Sequence, residues 1–479
     1  MKRYFLAILS VWTASICLAD DATPPQNLVT TQLVRRNHYV NPPIPIPTFA
    51  HPQEKKLNEV RIDRRQTSPT AWTFDQVIAS TLTSDPKLRV GKEDIRQAQA
   101  ERLTSSLIPN PTFTAEGGTL PFKRITEELP GGPPELNFQL EFPIDWFLFA
   151  KRKAAIDSAR WGVCQAQAEY ADLIRGRIME TATLFFDVLE AKALLAIAEQ
   201  DKEILAQLEQ IAKDGVEAGG IPPVELKRIT LDLLQSRQDV LEAEKTLDIL
   251  KAQLRAQFGG TEYDPAFDVA GDLDAETDRD PMPLEAAFTM AQHNRPDIRA
   301  LRMQVSKSRA DVHLENRNAK PEVTAFGGYT RQYQKALGDE DYNGWGIGVT
   351  VTAMLFDRNQ GNRLKARSAL AQSTHQYRSG IVDLHAEIIE ADRNFRTAHQ
   401  QVHTIAIEEI RLSTEVRDMM IAAFKAGGRP LIDVLDAERS YRETYRMFIT
   451  SRADYWRAFY IYNSVVGIDS YNDVRSSIH

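Results

Sequence analysis

The 479-residue sequence contains two copies of one pattern at a nearly constant offset, and this constrains its fold more than any other feature. Asp85-Pro86-Lys87-Leu88-Arg89 aligns with Arg295-Pro296-Asp297-Ile298-Arg299, 210 residues on. Pro111 to Gly118 (PTFTAEGG) aligns with Pro321 to Gly328 (PEVTAFGG) at the same offset, and Phe142-Pro143-Ile144 falls opposite Thr352-Ala353-Met354. Ala218-Gly219-Gly220-Ile221-Pro222 aligns with Ala426-Gly427-Gly428-Arg429-Pro430 at an offset of 208. Chance similarity between alanine-rich helices does not keep Gly and Pro in register over such a span. Two copies of one unit are therefore expected, not the three domains that length alone suggests.

Each copy reads as helix, strand pair, very long helix, turn, long helix. Residues 149–215 lack proline and are rich in Ala, Leu, Glu, Lys and Gln, all good helix formers. As one helix they would reach about 100 Å at 1.5 Å per residue, a length no compact domain needs. After the turn, Leu226, Leu233, Val240, Leu247 and Leu254 recur every seven residues, and so do Val434, Tyr441, Phe448, Tyr455 and Tyr462. Sustained sevenfold spacing packs helices as left-handed coiled coils, so both stripes are wall, not site.

The strands keep period two. Leu136, Phe138, Leu140 and Phe142 alternate with Asn137, Gln139 and Glu141, while Trp345, Ile347, Val349 and Val351 alternate with Gly346, Gly348, Thr350 and Thr352. Such alternation fits an outer-membrane barrel or a half-buried soluble sheet. Context favours the barrel. Lys2 and Arg3 precede an apolar run to Leu18, which reads as an export signal with cleavage after Ala19; lipoprotein processing at Cys17 is the rival and would put Ile16 where a small residue is needed. No later stretch has 18 consecutive apolar residues, so an exported chain that enters a membrane must do so as strands. Four strands are too few for the smallest bacterial barrel, and closure requires several copies. The turn-rich loops Lys123–Pro134 and Gln334–Gly344 would then face outward. Lys and Arg total 58 against 66 Asp and Glu, a formal charge of −8, which argues against a nucleic-acid partner.

The expected organisation is a signal peptide at 1–19, a Pro-rich arm or linker at 20–70, a first repeat at 72–260, a linker at 261–283, a second repeat at 284–467 and a tail at 468–479. No nucleophile motif, phosphate-cradling loop or metalloprotease signature is present, so neither catalysis nor a cofactor is expected. His399 and His403 stand at i and i+4, but lack a third ligand, and no metal site is assigned.

Three motifs together resemble the TolC-type outer-membrane efflux proteins over about residues 72–467: Asn294-Arg295-Pro296-Asp297-Ile298-Arg299, Met354-Leu355-Phe356-Asp357, and Gly428-Arg429-Pro430-Leu431-Ile432-Asp433-Val434-Leu435-Asp436-Ala437. Leu107 to Pro111 and Ala150 to Ile156 look like the heavy-metal-efflux branch of that family. The resemblance implies a mainly α fold with a small β part: a long coiled-coil α-barrel, and four antiparallel strands per chain completing a 12-stranded transmembrane barrel in a homotrimer. It also implies outer-membrane lipid around the strands, and a periplasmic adaptor (membrane fusion) protein and inner-membrane pump as partners.

Asp433 and Asp436 lie three apart at a helix start and share nearly one face. Acidic residues in a first turn complement the helix dipole. Facing a threefold axis, they would instead form a ring of six carboxylates that holds cations. In the resembled family this position is the tunnel constriction, which carries over onto Asp433 and Asp436 with Arg429 as a locking residue. Phe424 stands where the family's best-known members place a tyrosine, and Glu225 takes the equivalent acidic position in the first copy. The turns containing Gly219, Gly220 and Pro222, and Gly427, Gly428 and Pro430, are the expected adaptor-contact tips. A periplasmic coiled-coil adaptor or scaffold without a pore is the alternative, although an adaptor normally carries one hairpin where this chain carries two.

Overall fold

A computed structural model describes residues 71–118, 133–217, 222–261, 264, 266–273, 279–335, 338–426 and 428–468. The signal segment, the Pro-rich arm, most of the 123–134 loop and the tail beyond Ile468 lie outside the described residues.

The first copy opens with α1 (Phe74–Ser84) and α2 (Pro86–Ser106), the second with α6 (Leu284–Asn294) and α7 (Pro296–Asn318). Each pair breaks before a proline, because the residue preceding Pro is pushed out of the α region while Pro itself suits a helix's first turn. Asp85 caps α2 by accepting the Lys87 N–H at 2.8 Å, and its other oxygen accepts from Arg177 Nε at 2.5 Å. At the matching place in the second copy stands Arg295, whose Nη1 donates to Glu387 at 2.5 Å. The pairs 85/177 and 295/387 occupy equivalent positions at the 210-residue offset with their charges exchanged. Burial works against charge at Asp297, but the hydrogen bonds and charge of Arg295 outweigh it and hold that carboxyl below its usual range.

Between the helix pairs and the long helices lie β1 (Thr112–Gly118) with β2 (Glu135–Pro143), and β3 (Val323–Gln332) with β4 (Tyr342–Val351). They form one antiparallel sheet in the order β1-β2-β3-β4, with the β2–β3 pairing joining the two copies. The register sorts the side chains cleanly. On one face Phe113 pairs with Leu140, Phe138 with Tyr329, Tyr329 with Trp345, and Val323 with Val351. On the other, Thr112 pairs with Glu141, Glu116 with Asn137, and Glu135 with Gln332. Phe326 is the large apolar exception on the polar face, and its ring lies where a Cβ on Gly348 would collide with it. Among the described residues most of the apolar face is uncovered: Trp345 is 85% exposed and Ile347 92%, although Val323 at the helical end is buried. Tyr329 and Trp345, with ring centroids 5.1 Å apart, sit toward the β3–β4 loop, where an aromatic girdle meets a membrane boundary.

After the short α3 (Asp145–Leu148), α4 runs unbroken from Lys151 to Glu217, 67 residues or about 100 Å, and α5 (Pro223–Gln257) returns along it. In the second copy the long helix is α8 (Gln360–Gln400), a π-helical segment Gln401–Ile405, and α9 (Ala406–Lys425), answered by α10 (Leu431–Val466). The first copy has no π counterpart, and the sequence pattern carried no sign of one. Most of the sevenfold positions are buried, Leu254 and Tyr455 fully so, while Leu226, Tyr441 and Phe448 are only half-buried. The main core sits near the level of Phe185, Phe186, Trp456 and Tyr460, where Phe186 stacks on both Trp456 and Tyr460. The linker's Phe267, Val269 and Leu273 pack into this core, and Val269 forms a bridge with Trp72. Among the described residues no helix is long and apolar enough to cross a membrane.

The charge-exchanged pairs give a direct check. Asp85→Arg or Arg177→Glu alone strands a buried charge and should destabilise by about 3–5 kcal/mol. Together they reproduce the polarity of the second copy, and thermal or denaturant unfolding should show most of that loss restored. Additive losses in the double variant would contradict the equivalence.

Candidate functional site

The two helical turns share one end of the described body. Pro222 and Pro430 precede α5 and α10 with extended backbones, φ −65°, ψ 140° and φ −71°, ψ 158°, each fixing the chain's re-entry into a helix. Gly219, Gly220 and Gly427 lie outside the described residues. Gly428 donates its N–H to the Ala423 carbonyl at 2.9 Å, and a Cβ there would meet that oxygen at an ordinary 3.5 Å. An apolar cluster joins the turns, with Leu205, Ala212, Ile229 and Leu233 of the first hairpin against Val434 and Leu435 of the second. Phe424 packs against this cluster, together with Leu226 and Ile421. Its ring contributes contact where a hydroxyl would have needed a partner.

Asp433 and Glu225 occupy equivalent first-turn positions. The Asp433 N–H donates to the Pro430 carbonyl at 3.2 Å, and the Glu225 N–H to that of Pro222 at 3.0 Å. Within one chain neither candidate aspartate stands alone. Arg429 Nη1 donates to Asp433 Oδ2 at 3.2 Å, and Arg439 Nη1 lies 3.8 Å from Asp436 Oδ1. Asp436 is mostly exposed, with 65% of its side-chain surface free, and Asp433 is less so at 30%. Arg429 just before α10, Asp433 on its first turn and Asp436 on its second thus lie close along the helix start, while Glu225 belongs to the other hairpin.

The sequence reading missed a series of acid–arginine pairs that ties α10 to the first hairpin above the tips. Arg439 reaches Asp232 on α5 at 3.3 Å, and Arg446 lies 3.7 Å from Asp239, seven residues farther along both helices. Arg442 and Arg446 flank Asp201 of α4 at 4.0 and 3.8 Å. Arg457 donates to Asp187 at 2.6 Å and also to Glu190, which Thr450 joins at 2.7 Å. A signal was present, because Asp232/Asp239 and Arg439/Arg446 follow the same period as the stripes beside them. Burial pushes the Asp201 carboxyl up to about 6 against the pull of both arginines. Burial likewise raises Glu438, with Arg417 and Arg442 opposing. A cavity of about 490 Å³ lies beside this series, lined by Asp187, Glu190, Asp239 and Glu242 as well as by Leu194 and Leu250.

The His399 and His403 rings lie 4.4 Å apart, with Asp280 Oδ1 3.9 Å from His399 Nε2. Among the described residues no three His, Cys, Asp or Glu side chains are grouped to hold a metal ion.

The family model described as "Outer membrane efflux protein" matches residues 77–260 and 288–458. The cobalt-zinc-cadmium resistance protein CzcC of Cupriavidus metallidurans is 24% identical over 372 residues, covering 77% of this chain and 83% of that protein. The outer membrane protein TolC of Vibrio cholerae is 26% identical over 346 residues, covering 67% and 74%. Among solved structures, a crystal structure of CusC, described in terms of folding and transmembrane channel formation, superposes with a TM-score of 0.68 at 15% identity over 82% of this chain and 92% of that one.

The Asp232–Arg439 pair is largely exposed, 30% and 60% by side chain, so its energy is screened. A double-mutant cycle with Asp232→Ala and Arg439→Ala should return a coupling of about 1 kcal/mol or less. Several kcal/mol would mean that the pair is buried in the assembled protein.

Proposed function

The chain belongs to the outer membrane efflux protein family, and on that premise we propose that it is the passive exit duct of a tripartite export system, working as a homotrimer with a gate at its periplasmic tips. Its place is the outer membrane, from which the helices reach into the periplasm. The observation that carries this reading is the unclosed sheet: among the described residues, four strands, a largely bare apolar face, and two edges, β1 and β4, without a neighbouring strand. In lipid every such group needs a partner, and three copies supply 12 strands and no edge. The helices support the same count. Leu231 and Leu241 on α5 are 66% and 65% exposed, as are Leu412 (47%) and Met419 (62%) on α9. Among the described residues these apolar side chains are left largely uncovered.

In a trimer the polar face of the sheet lines the lumen and brings Glu116, Glu135 and Glu141 with it. At the other end, Asp433 and Asp436 of three chains surround the axis, with Arg429 locking the entrance and Glu225 beside it. The Arg429–Asp433 pairing favours a second role in the same turn, neutralising the helix start. Both carboxylate sets suit a cationic cargo, and the heavy-metal resistance named for CzcC makes divalent metal ions the first candidates. The tips at Pro222, Gly428 and Pro430, with the neighbouring Gly219, Gly220 and Gly427, would meet a periplasmic adaptor and through it an inner-membrane pump. The scaffold alternative leaves the apolar strand face unexplained.

In planar bilayers the protein should form cation-selective channels that a divalent ion added on the periplasmic side blocks. Asp433→Asn with Asp436→Asn should lose most of the block while keeping its oligomeric state. Block equal to wild type would assign the two residues to helix capping alone. Arg429→Ser should raise resting conductance with selectivity unchanged; an unaltered conductance would remove Arg429 from the gate.

A further inference from the structure

A few turns above the tips, α10 presses a layer of charge against α4 and α5, and Asp201 of α4 lies inside it at 4% exposure. Among the described residues its Oδ2 accepts no hydrogen bond. Two arginines of α10 stand at ion-pair distance but outside hydrogen-bond reach, Arg446 Nη2 at 3.8 Å and Arg442 Nη1 at 4.0 Å. Arg446 is shared, since the same Nη2 lies 3.7 Å from Asp239 on α5. Glu438 of α10 and Asp239 of α5 add negative charge facing the same point. That oxygen has given up water and received in its place the attraction of two arginines at a distance, one of them divided with a second acid.

We propose that Asp201 is a positioning residue for the gate: an incompletely satisfied buried carboxylate that strains the resting fit of α10 against the first hairpin, so that its protonation tightens the closed state. The inference rests on the reading of the tips as a gate. Its geometry also suggests where motion is taken up, because the pairs of Asp201, Asp232 and Asp239 lie between the tips and the π-helical segment Gln401–Ile405. Such single-turn irregularities commonly mark functional bends.

The sign follows from linkage. With α10 in place, burial holds the Asp201 carboxyl at about 6, above its ordinary 3.8. With α10 withdrawn the group meets water and returns toward the ordinary value. The closed state therefore binds the proton more tightly, and acidification favours it, by on the order of tenfold per chain between pH 7 and pH 5. A simple salt-bridge latch predicts the opposite, since protonation would then release the arginines.

The experiment uses the detergent-extracted full-length protein and its Asp201→Asn variant, a neutral near-isostere. Resting conductance in planar bilayers should fall about tenfold or more from pH 7 to pH 5 in wild type. Asp201→Asn should be low at pH 7 and nearly flat with pH. Hydrogen exchange of the 431–446 amides, corrected for intrinsic rate, reads the same fit without requiring a channel, and protection should rise at pH 5 in wild type alone. A variant that conducts more than wild type at pH 7, or that keeps the wild-type pH response in exchange, overturns the role of Asp201. Absence of any wild-type conductance would instead strike at the duct reading, and the exchange data would still decide the inference.

Discussion

Backbone polar groups in hydrocarbon must be paired, and the four-stranded sheet of this chain cannot pair its own edges. Among the described residues β1 and β4 each have one edge without a neighbouring strand, beside an apolar surface that includes Phe113, Leu140, Ile347 and Val349. In water this surface would invite aggregation, and in lipid the edges alone would be prohibitive. Association with further copies removes both difficulties. The same closure sets the curvature the helices must follow, because each strand pair leads directly into a helix that continues away from the membrane. The exposed rows on α5 and α9 are the helical counterpart of the open strand edges.

Duplication supplies this architecture economically and then departs from itself. Both copies keep the X-Pro break between their short helices, the strand pair and the proline-led second hairpin helix. The charge pair is retained as a pair, but buried Asp85 with buried Arg177 becomes buried Arg295 with half-exposed Glu387. What the core requires at that place is neutrality and hydrogen bonding, not a given sign. The second departure is mechanical. α4 is regular throughout, whereas its counterpart carries the π segment at Gln401–Ile405, just below Phe395 and beside Tyr455. The long helix of one hairpin is α-helical throughout, and that of the other is interrupted by one π-helical segment.

Much of this was legible in the residues. Period seven marked the buried stripes, period two marked the strands and assigned their faces, and the proline-free run at 149–215 located a helix that spans Lys151–Glu217. These features are local, and each residue declares its environment by hydrophobicity alone. The pairing of Arg177 with Asp85, or of Arg442 and Arg446 with Asp201, is not local, because a charged residue on a helix reads the same whether it meets water or an acid 200 residues away. The π segment was hidden because Gln-Val-His-Thr-Ile carries no breaker. At the tips the spacing placed Asp433 and Asp436 near one face of a helix start, and the family resemblance added Arg429. It did not reveal that Arg429 and Arg439 stand beside those carboxylates in the same chain, which is a property of side-chain direction and not of spacing.

The central claim is that the open edges β1 and β4 close against each other between chains. Single cysteines at Thr114 on β1 and at Gly346, Gly348 or Thr350 on β4, combined pairwise in a Cys164→Ser background, test it most directly. Oxidation in the outer membrane should convert at least one pair into a covalent three-chain ladder on denaturing gels, with no larger species. Links confined to a single chain, or no links at any register, would contradict it.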